Sequence, residues 1–170
     1  MHNNIKKKIL TLFGIGNIKF APGSFSSLFT CLFYSLLIIF KINMILPLLL
    51  FLILIPYSIF LINSNSDLFY DIDAKEIVID EFIGQSIPII FCYFFIDKIS
   101  NFNFNTDKLL LIKFMIIAFL SFRFFDIIKL YPINLIDKIK NGYGVVLDDI
   151  LAGVYSTIVS YLVFSYKILL

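Results

Sequence analysis

Asp80 and Glu81 stand side by side in "IVIDEFIGQ", between apolar stretches of a chain that carries few charges. At about 100° per residue, Asp73, Glu76, Asp80 and Gly84 fall within about 80° on one side of a helix, with Glu81 beside them. Asp73, with Glu76 three residues on, also resembles a capping box, which predicts a helix start there. Carboxylates at this spacing repel one another. Something cationic should offset them, and a divalent metal held by oxygen ligands is the simplest candidate. The plainer alternative is a surface helix with solvated carboxylates near its N-terminus.

A second acidic pair, Asp148 and Asp149, opens the apolar run of "VVLDDILAG". Asp149, Gly153, Ser156 and Ser160 recur at i, i+4, i+7 and i+11, a small-residue stripe of the kind along which membrane helices pack closely. Asp149 should therefore face the bundle. Asp148 points about 100° away, either as a further ligand or as an exposed charge at a helix N-terminus. In "FRFFDIIK", Arg123, Asp126 and Lys129 fan across roughly 120° of a helix. Arg123 is the only arginine in the chain. Its guanidinium offers a planar fork to a phosphate or carboxylate, and Lys129 adds a point charge; the bland alternative is an internal Arg123–Asp126 ion pair with Lys129 snorkelling to the interface. "FAPGSFSS" supplies a Pro22-Gly23 turn, then Ser24, Ser26 and Ser27 where a helix starts. The free N–H groups of such a start suit an anion, although turn and cap alone account for the motif equally well.

The elements that position these residues sit in an apolar chain. It is 60% hydrophobic and 15% charged, with 21 Phe and no Trp, against roughly 45–50% and 25% in soluble domains. Such a chain belongs in a membrane. Its formal charge of +2 does not suggest nucleic-acid binding. Cys31 and Cys92 lie singly in apolar stretches, without the spacing of a zinc site or a disulfide framework. Lys6, Lys7 and Lys8 precede an apolar run that glycines and "APGS" interrupt, so the segment is read as part of the mature protein and not as a signal peptide.

Apolar runs lie near Phe25 to Phe40, Met44 to Ile62, Phe82 to Ile96, Leu109 to Phe125 and Leu147 to Phe164. A helix needs about 20 residues to cross a bilayer, so the second and fifth suffice and the others rely on their polar flanks. Asn63 to Asp73 and Asp97 to Lys108 read as polar loops. The expected fold class is all-α: a small membrane-embedded bundle of about four to five hydrophobic helices, forming a single domain over residues 1–170. With the N-terminus in the cytoplasm, Arg123 and most lysines fall on the cytoplasmic side, as the positive-inside rule requires. That orientation brings the four polar motifs to one membrane face.

Acidic residues for a metal and cationic ones for an anion, at a membrane interface, suggest hydrolysis of a phosphate ester on a lipid. Other phosphatase designs fit poorly. Lys75 in "DIDAK" takes the place where an aspartyl-phosphate phosphatase has Thr or Val, Lys98 stands where a cysteine phosphatase would need Arg, and the one histidine is His2. The alternative class is an ion-coupled membrane transporter, since intramembrane acids also form cation or proton paths. A third is a non-catalytic assembly subunit. Clustering of the acids at one face, and not through the bilayer's depth, favours an enzyme.

In order, "GIGNIKFAPGSFSSL", "DAKEIVIDEFIGQ", "FRFFDIIKLYP" and "NGYGVVLDDILAG" resemble the bacterial phosphatidylglycerophosphatase A family, over about Gly14 to Tyr155. The matching positions are Pro22, Gly23 and Ser27, then Asp73, Asp80, Glu81 and Gly84. Arg123, Asp126, Lys129 and Pro132 follow, and then Gly142, Gly144, Asp148, Asp149 and Gly153. Ser24, Phe25, Ser26, Ala74, Leu130 and Asn141 depart from the family's usual residues at turn or packing positions. The resemblance implies an all-α, Mg²⁺-dependent enzyme of phospholipid biosynthesis that removes the terminal phosphate of phosphatidylglycerophosphate. Such an enzyme would span the bacterial inner membrane several times, among membrane lipids, with its site facing the cytoplasm. Charge placement and resemblance together point to Asp80, Glu81 and Asp149, with Asp148 or Asp126 assisting, as Mg²⁺ ligands. Arg123 and Lys129 would neutralise phosphoryl charge, one carboxylate would orient the attacking water, and Pro22, Gly23, Ser24 and Ser27 would receive the phosphate.

Overall fold

The computed structural model describes residues 2–64, 69, 74–100 and 108–165. Among them the chain is a helical bundle without strands. Its elements are α1 (His2–Leu10), a 3-10 turn (Leu12–Asn17), α2 (Pro22–Ile39), α3 (Ile45–Ser64), α4 (Ile79–Ser100), α5 (Lys108–Ile128), the short α6 (Ile133–Ile136) and α7 (Gly142–Ser165). The five long helices coincide with the five apolar runs, each lengthened by polar flanks. Of these, α2, α3 and α7 are long and apolar enough to cross a membrane, with mean hydropathies of 1.5, 2.7 and 1.5. Helices α4 and α5 have 22 and 21 residues, about 30 Å of helix each, but carry charges. Three such helices fit a membrane protein.

Helix starts follow from local chemistry. Pro22 takes the first position of α2, where its missing N–H costs nothing. Asn43 Oδ1 accepts the Ile45 N–H at 3.0 Å to begin α3, and Asn141 Oδ1 accepts from Tyr143 and Gly144 at 2.9 and 3.1 Å to cap α7. Within the helices, hydroxyls donate back one turn: Ser27 to Gly23, Thr30 to Ser26, Ser86 to Phe82 and Thr157 to Gly153. Back-bonding of this kind satisfies polar groups where no water can.

Helix α7 is central, packing on α3, α4, α5 and α6. The expected stripe faces inward: Asp149, Ser156 and Ser160 are buried, and Ser156 Oγ meets Ser121 Oγ of α5 at 2.7 Å. A Cβ on Gly84 would lie 2.6 Å from the Asp149 carbonyl oxygen, and one on Gly153 would overlap the Gly84 carbonyl. Reciprocal glycines thus let α4 and α7 touch backbone to backbone. Ser26 Oγ donates to the Val78 carbonyl at 2.7 Å, and the Asn63 side chain at the end of α3 accepts the Gly142 N–H at 2.7 Å. One end of the bundle therefore gathers the starts of α2, α4 and α7 with the ends of α3 and α5.

Two expectations change. Helix α4 starts at Ile79 and not at position 73, so Glu76 lies in a turn, off the helix; Asp73 itself lies outside the described residues. The cause is tertiary. Val78 N donates to the Leu10 carbonyl at 3.0 Å, its carbonyl accepts from Ser26, and Ile77 and Val78 are buried, which holds the approach to α4 out of helical geometry. The stretch read as a loop from Asp97 is helical through Ser100, and most of Asn63 to Asp73 lies outside the described residues.

Gly84→Val should destabilise the bundle by at least about 2 kcal/mol, since overpacking at a backbone contact cannot be relieved by a rotamer change. Val154→Ala, at a 39% exposed position on α7, should be nearly neutral. Denaturant unfolding in detergent micelles measures both.

Candidate active site

Helix α4 delivers Asp80 and Glu81 in its first turn, and α7 delivers Asp148 and Asp149 in its second. Four residues separate Asp80 from Gly84 and Asp149 from Gly153, so the glycine crossing brings both acids to the same level. Ligand oxygens of Asp80, Glu81 and Asp149 all lie within 4.8 Å of one another. Asp80 and Asp149 are 7% and 4% exposed. Asp80 Oδ1 and Glu81 Oε2 are buried without a hydrogen-bond partner among the described residues. Burying an unpaired carboxylate costs several kcal/mol even after relaxation. Three hard oxygen donors with unspent lone pairs fit a divalent cation, Mg²⁺ among them.

Asp148 turns elsewhere. Its Oδ2 accepts from Lys129 Nζ at 2.9 Å and its Oδ1 from the Asp149 N–H at 3.0 Å. Lys129 ends α5 in a left-handed conformation with φ 49°, the usual helix-ending geometry though seldom lysine's. That turn swings its side chain across to α7 and to the connection after α6, where it pairs with Asp137. Partial burial alone would lower the Lys129 pKa, but the bonds to Asp137 and Asp148 outweigh it and hold the ammonium above its ordinary value. Lys129 is thus a fixed positive charge and a poor proton donor.

Arg123 Nη1 lies 2.5 Å from Asp126 Oδ2 within α5, so the internal ion pair exists. It leaves Nε over, buried with no hydrogen-bond partner among the described residues. The start of α2 abuts this pair of opposite charges. A Cβ on Gly23 would lie 3.2 Å from Arg123 Nη1 and overlap the Glu81 carboxylate. No side chain caps the first turn of α2, and Pro22 has no N–H, so the Gly23 and Ser24 amides have no capping side chain. The Ser27 hydroxyl is buried and donates to the Gly23 carbonyl at 3.0 Å, within its own helix.

Asp80, Glu81, Arg123, Asp126, Lys129, Asp148 and Asp149 all line one polar cavity of about 270 Å³, with Lys75, Ala74, Ile77, Ile127 and Val145 completing its wall. Pro22, Gly23, Ser24 and Ser27 are not part of that lining, although Gly23 abuts Glu81 and Arg123, which are. Two polar residues escaped the sequence reading. Asp137 had no signal, eight residues from Lys129 in an irregular stretch. Gln85 had one: an amide a turn beyond Glu81 in an apolar run, here fully buried with both amide atoms unpartnered among the described residues.

Comparison with known proteins follows the same lines. The chain is 36% identical over 88 residues, 51% of its own length and 45% of the relative's, to the phosphatidylglycerophosphatase A of Haemophilus influenzae. It is 35% identical over 86 residues, 51% of its length and 46% of the relative's, to a Bacteroides thetaiotaomicron protein provisionally named phosphatidylinositol-3-phosphatase. The chain therefore spans a little under half the length of these curated relatives. No solved structure matches it. The pattern that defines phosphatidylglycerophosphatase A matches residues 8–164, which take in every helix that reaches the cavity, and the chain belongs to the phosphatidylglycerophosphatase A family.

Proposed function

We propose that the chain is a single catalytic domain that hydrolyses the terminal phosphomonoester of phosphatidylglycerophosphate to phosphatidylglycerol, with Mg²⁺, at the cytoplasmic face of a bacterial inner membrane. One observation carries the reading. Three carboxylates, those of buried Asp80 and Asp149 and half-buried Glu81, lie within 4.8 Å of one another in a cavity shared with Arg123, at one end of a bundle with three membrane-length helices. Asp80, Glu81 and Asp149 would hold the cation, which when bound supplies positive charge to the phosphoryl oxygens.

The protein's own groups account for the rest. The Arg123 guanidinium and the Gly23 and Ser24 amides bind the non-bridging oxygens, where charge grows in the transition state. Lys129 adds a fixed positive charge. An unpartnered carboxylate oxygen of Asp80 or Glu81 takes a proton from the attacking water as the new P–O bond forms. The bond from phosphorus to the glycerol oxygen breaks, that oxygen takes a proton from solvent, and the carboxylate returns its own proton to solvent as inorganic phosphate is released. Access at the membrane end lets the lipid arrive laterally with its chains still in the leaflet. The second relative's name supports a headgroup alternative, a phosphorylated inositol lipid, using the same chemistry.

Phosphate release from vesicles of each lipid, and from glycerol phosphate, with magnesium or chelator, tests the reading; chelator-resistant release, or none by folded protein, refutes it. Asp149→Asn should lower turnover at least about 100-fold, a typical loss for a preorganised electrostatic group. Its folded state should be as stable as the parent's or more so, because one of three crowded like charges is gone. Arg123→Lys keeps the charge and loses the fork, and should cost roughly tenfold in kcat/KM; full activity in that variant would remove Arg123 from the mechanism.

A further inference from the structure

Apart from the polar cavity, an apolar groove of about 360 Å³ runs between α2 and α5, walled by Leu28, Leu32 and Ile39 on one side and Ile112, Ile116 and Leu120 on the other. The two helices are antiparallel, with Cys31 Sγ against the Met115 carbonyl at 3.8 Å. Position along the groove can therefore be read from residue number. Its upper end, at Leu120 and Leu28, lies three residues from Arg123 and five from Gly23, about 5–8 Å below the phosphate-facing groups. From Leu28 to Ile39 it descends about 17 Å, close to one leaflet's half of a roughly 30 Å hydrocarbon core.

The groove also continues the cavity wall. Ile112, Ile116, Leu120 and Ile127 occupy about 80° of α5, with Arg123 inside the same sector. Ile127 lines the polar cavity and the other three line the groove. A second apolar groove, of about 480 Å³ between α2 and α3, shares no lining helix face with Arg123 and meets the cavity wall only through Phe82, the residue after Glu81. On α2 it begins at Phe33, ten residues and about 15 Å from Gly23. There the Phe82 ring packs 6.0 and 6.5 Å from those of Phe33 and Tyr34.

We infer that the α2–α5 groove seats one acyl chain of the same phospholipid whose phosphomonoester enters the polar cavity; the inference rests on the phosphatase reading above. Lipid tails are as apolar as the groove, so packing and alignment, and not exclusion of water, distinguish the seated chain from bulk lipid. The gain is orientational: a chain held in line with Arg123 presents its headgroup to the cavity already turned.

The test uses the full chain in vesicles with phosphatidylglycerophosphate carrying a diazirine midway along one acyl chain, irradiated briefly and mapped by peptide sequencing. A phosphatidylcholine with the same modified chain is run in parallel, as is the groove-filling variant Ser35→Phe. The phosphomonoester probe should label residues 28–39 and 112–120 roughly threefold or more above α3, a ratio of the size packing alone can supply. Phosphatidylcholine should show no such preference, and Ser35→Phe should abolish it. Equal labelling by phosphatidylcholine, or a pattern unchanged by Ser35→Phe, overturns the inference. Phosphate release from the same vesicles is scored separately. Groove labelling without release keeps the chain site and refutes the phosphatase, whereas release without groove labelling does the reverse.

Discussion

The site depends on how closely α4 and α7 cross. With the Gly84 and Gly153 backbones in mutual contact, the acids one turn above each glycine have nowhere to go but toward each other. Larger residues at the crossing would part the helices by the width of a side chain, and the ligand oxygens of Asp80, Glu81 and Asp149 would no longer share a space of 4.8 Å. Backbone contact therefore does work that charges would undo, since three like charges would separate if the helices were free to slide. Packing along the α7 stripe, with Ser156 bonded to Ser121 and to the Ala118 carbonyl, opposes that repulsion.

The other elements add cations to this acidic centre without neutralising it. Arg123 is held through Nη1 by Asp126 on its own helix, an arrangement that sets the guanidinium's place while leaving Nε without a partner among the described residues. Lys129 is held by two carboxylates from different segments, so one side chain ties together the end of α5, the connection after α6 and the second turn of α7. The start of α2 can come against Arg123 and Glu81 only because position 23 has no side chain.

Much of this was legible in the sequence, for identifiable reasons. Apolar runs of near membrane length report helices directly, because a backbone in lipid must bond to itself. The α7 stripe was legible because its spacing encodes a face, whereas Gly84 has no partner stripe on α4 and gained its meaning only from Gly153. The start of α4 was misread because capping patterns report local bonds, while Val78 spends its backbone groups on Leu10 and Ser26. Asp137 was invisible for a related reason: its partner is reached through a left-handed residue that spacing does not announce. Adjacency identified Asp80 and Glu81 as a pair. Which member of the Asp148 and Asp149 pair would join them depended on helix rotation; the stripe favoured Asp149, and the structure places it with them.

The composition of the cavity wall carries a consequence for the order of events. Asp80, Glu81, Asp126, Asp148 and Asp149 face Lys75, Arg123 and Lys129, a formal excess of two negative charges. Such a field repels a phosphate dianion and attracts a cation, and low-dielectric walls sharpen both effects. On the proposed chemistry, a divalent cation lodged first would cancel the excess, and the headgroup would enter second, so the occupant of the cavity would set the sign that the next one meets.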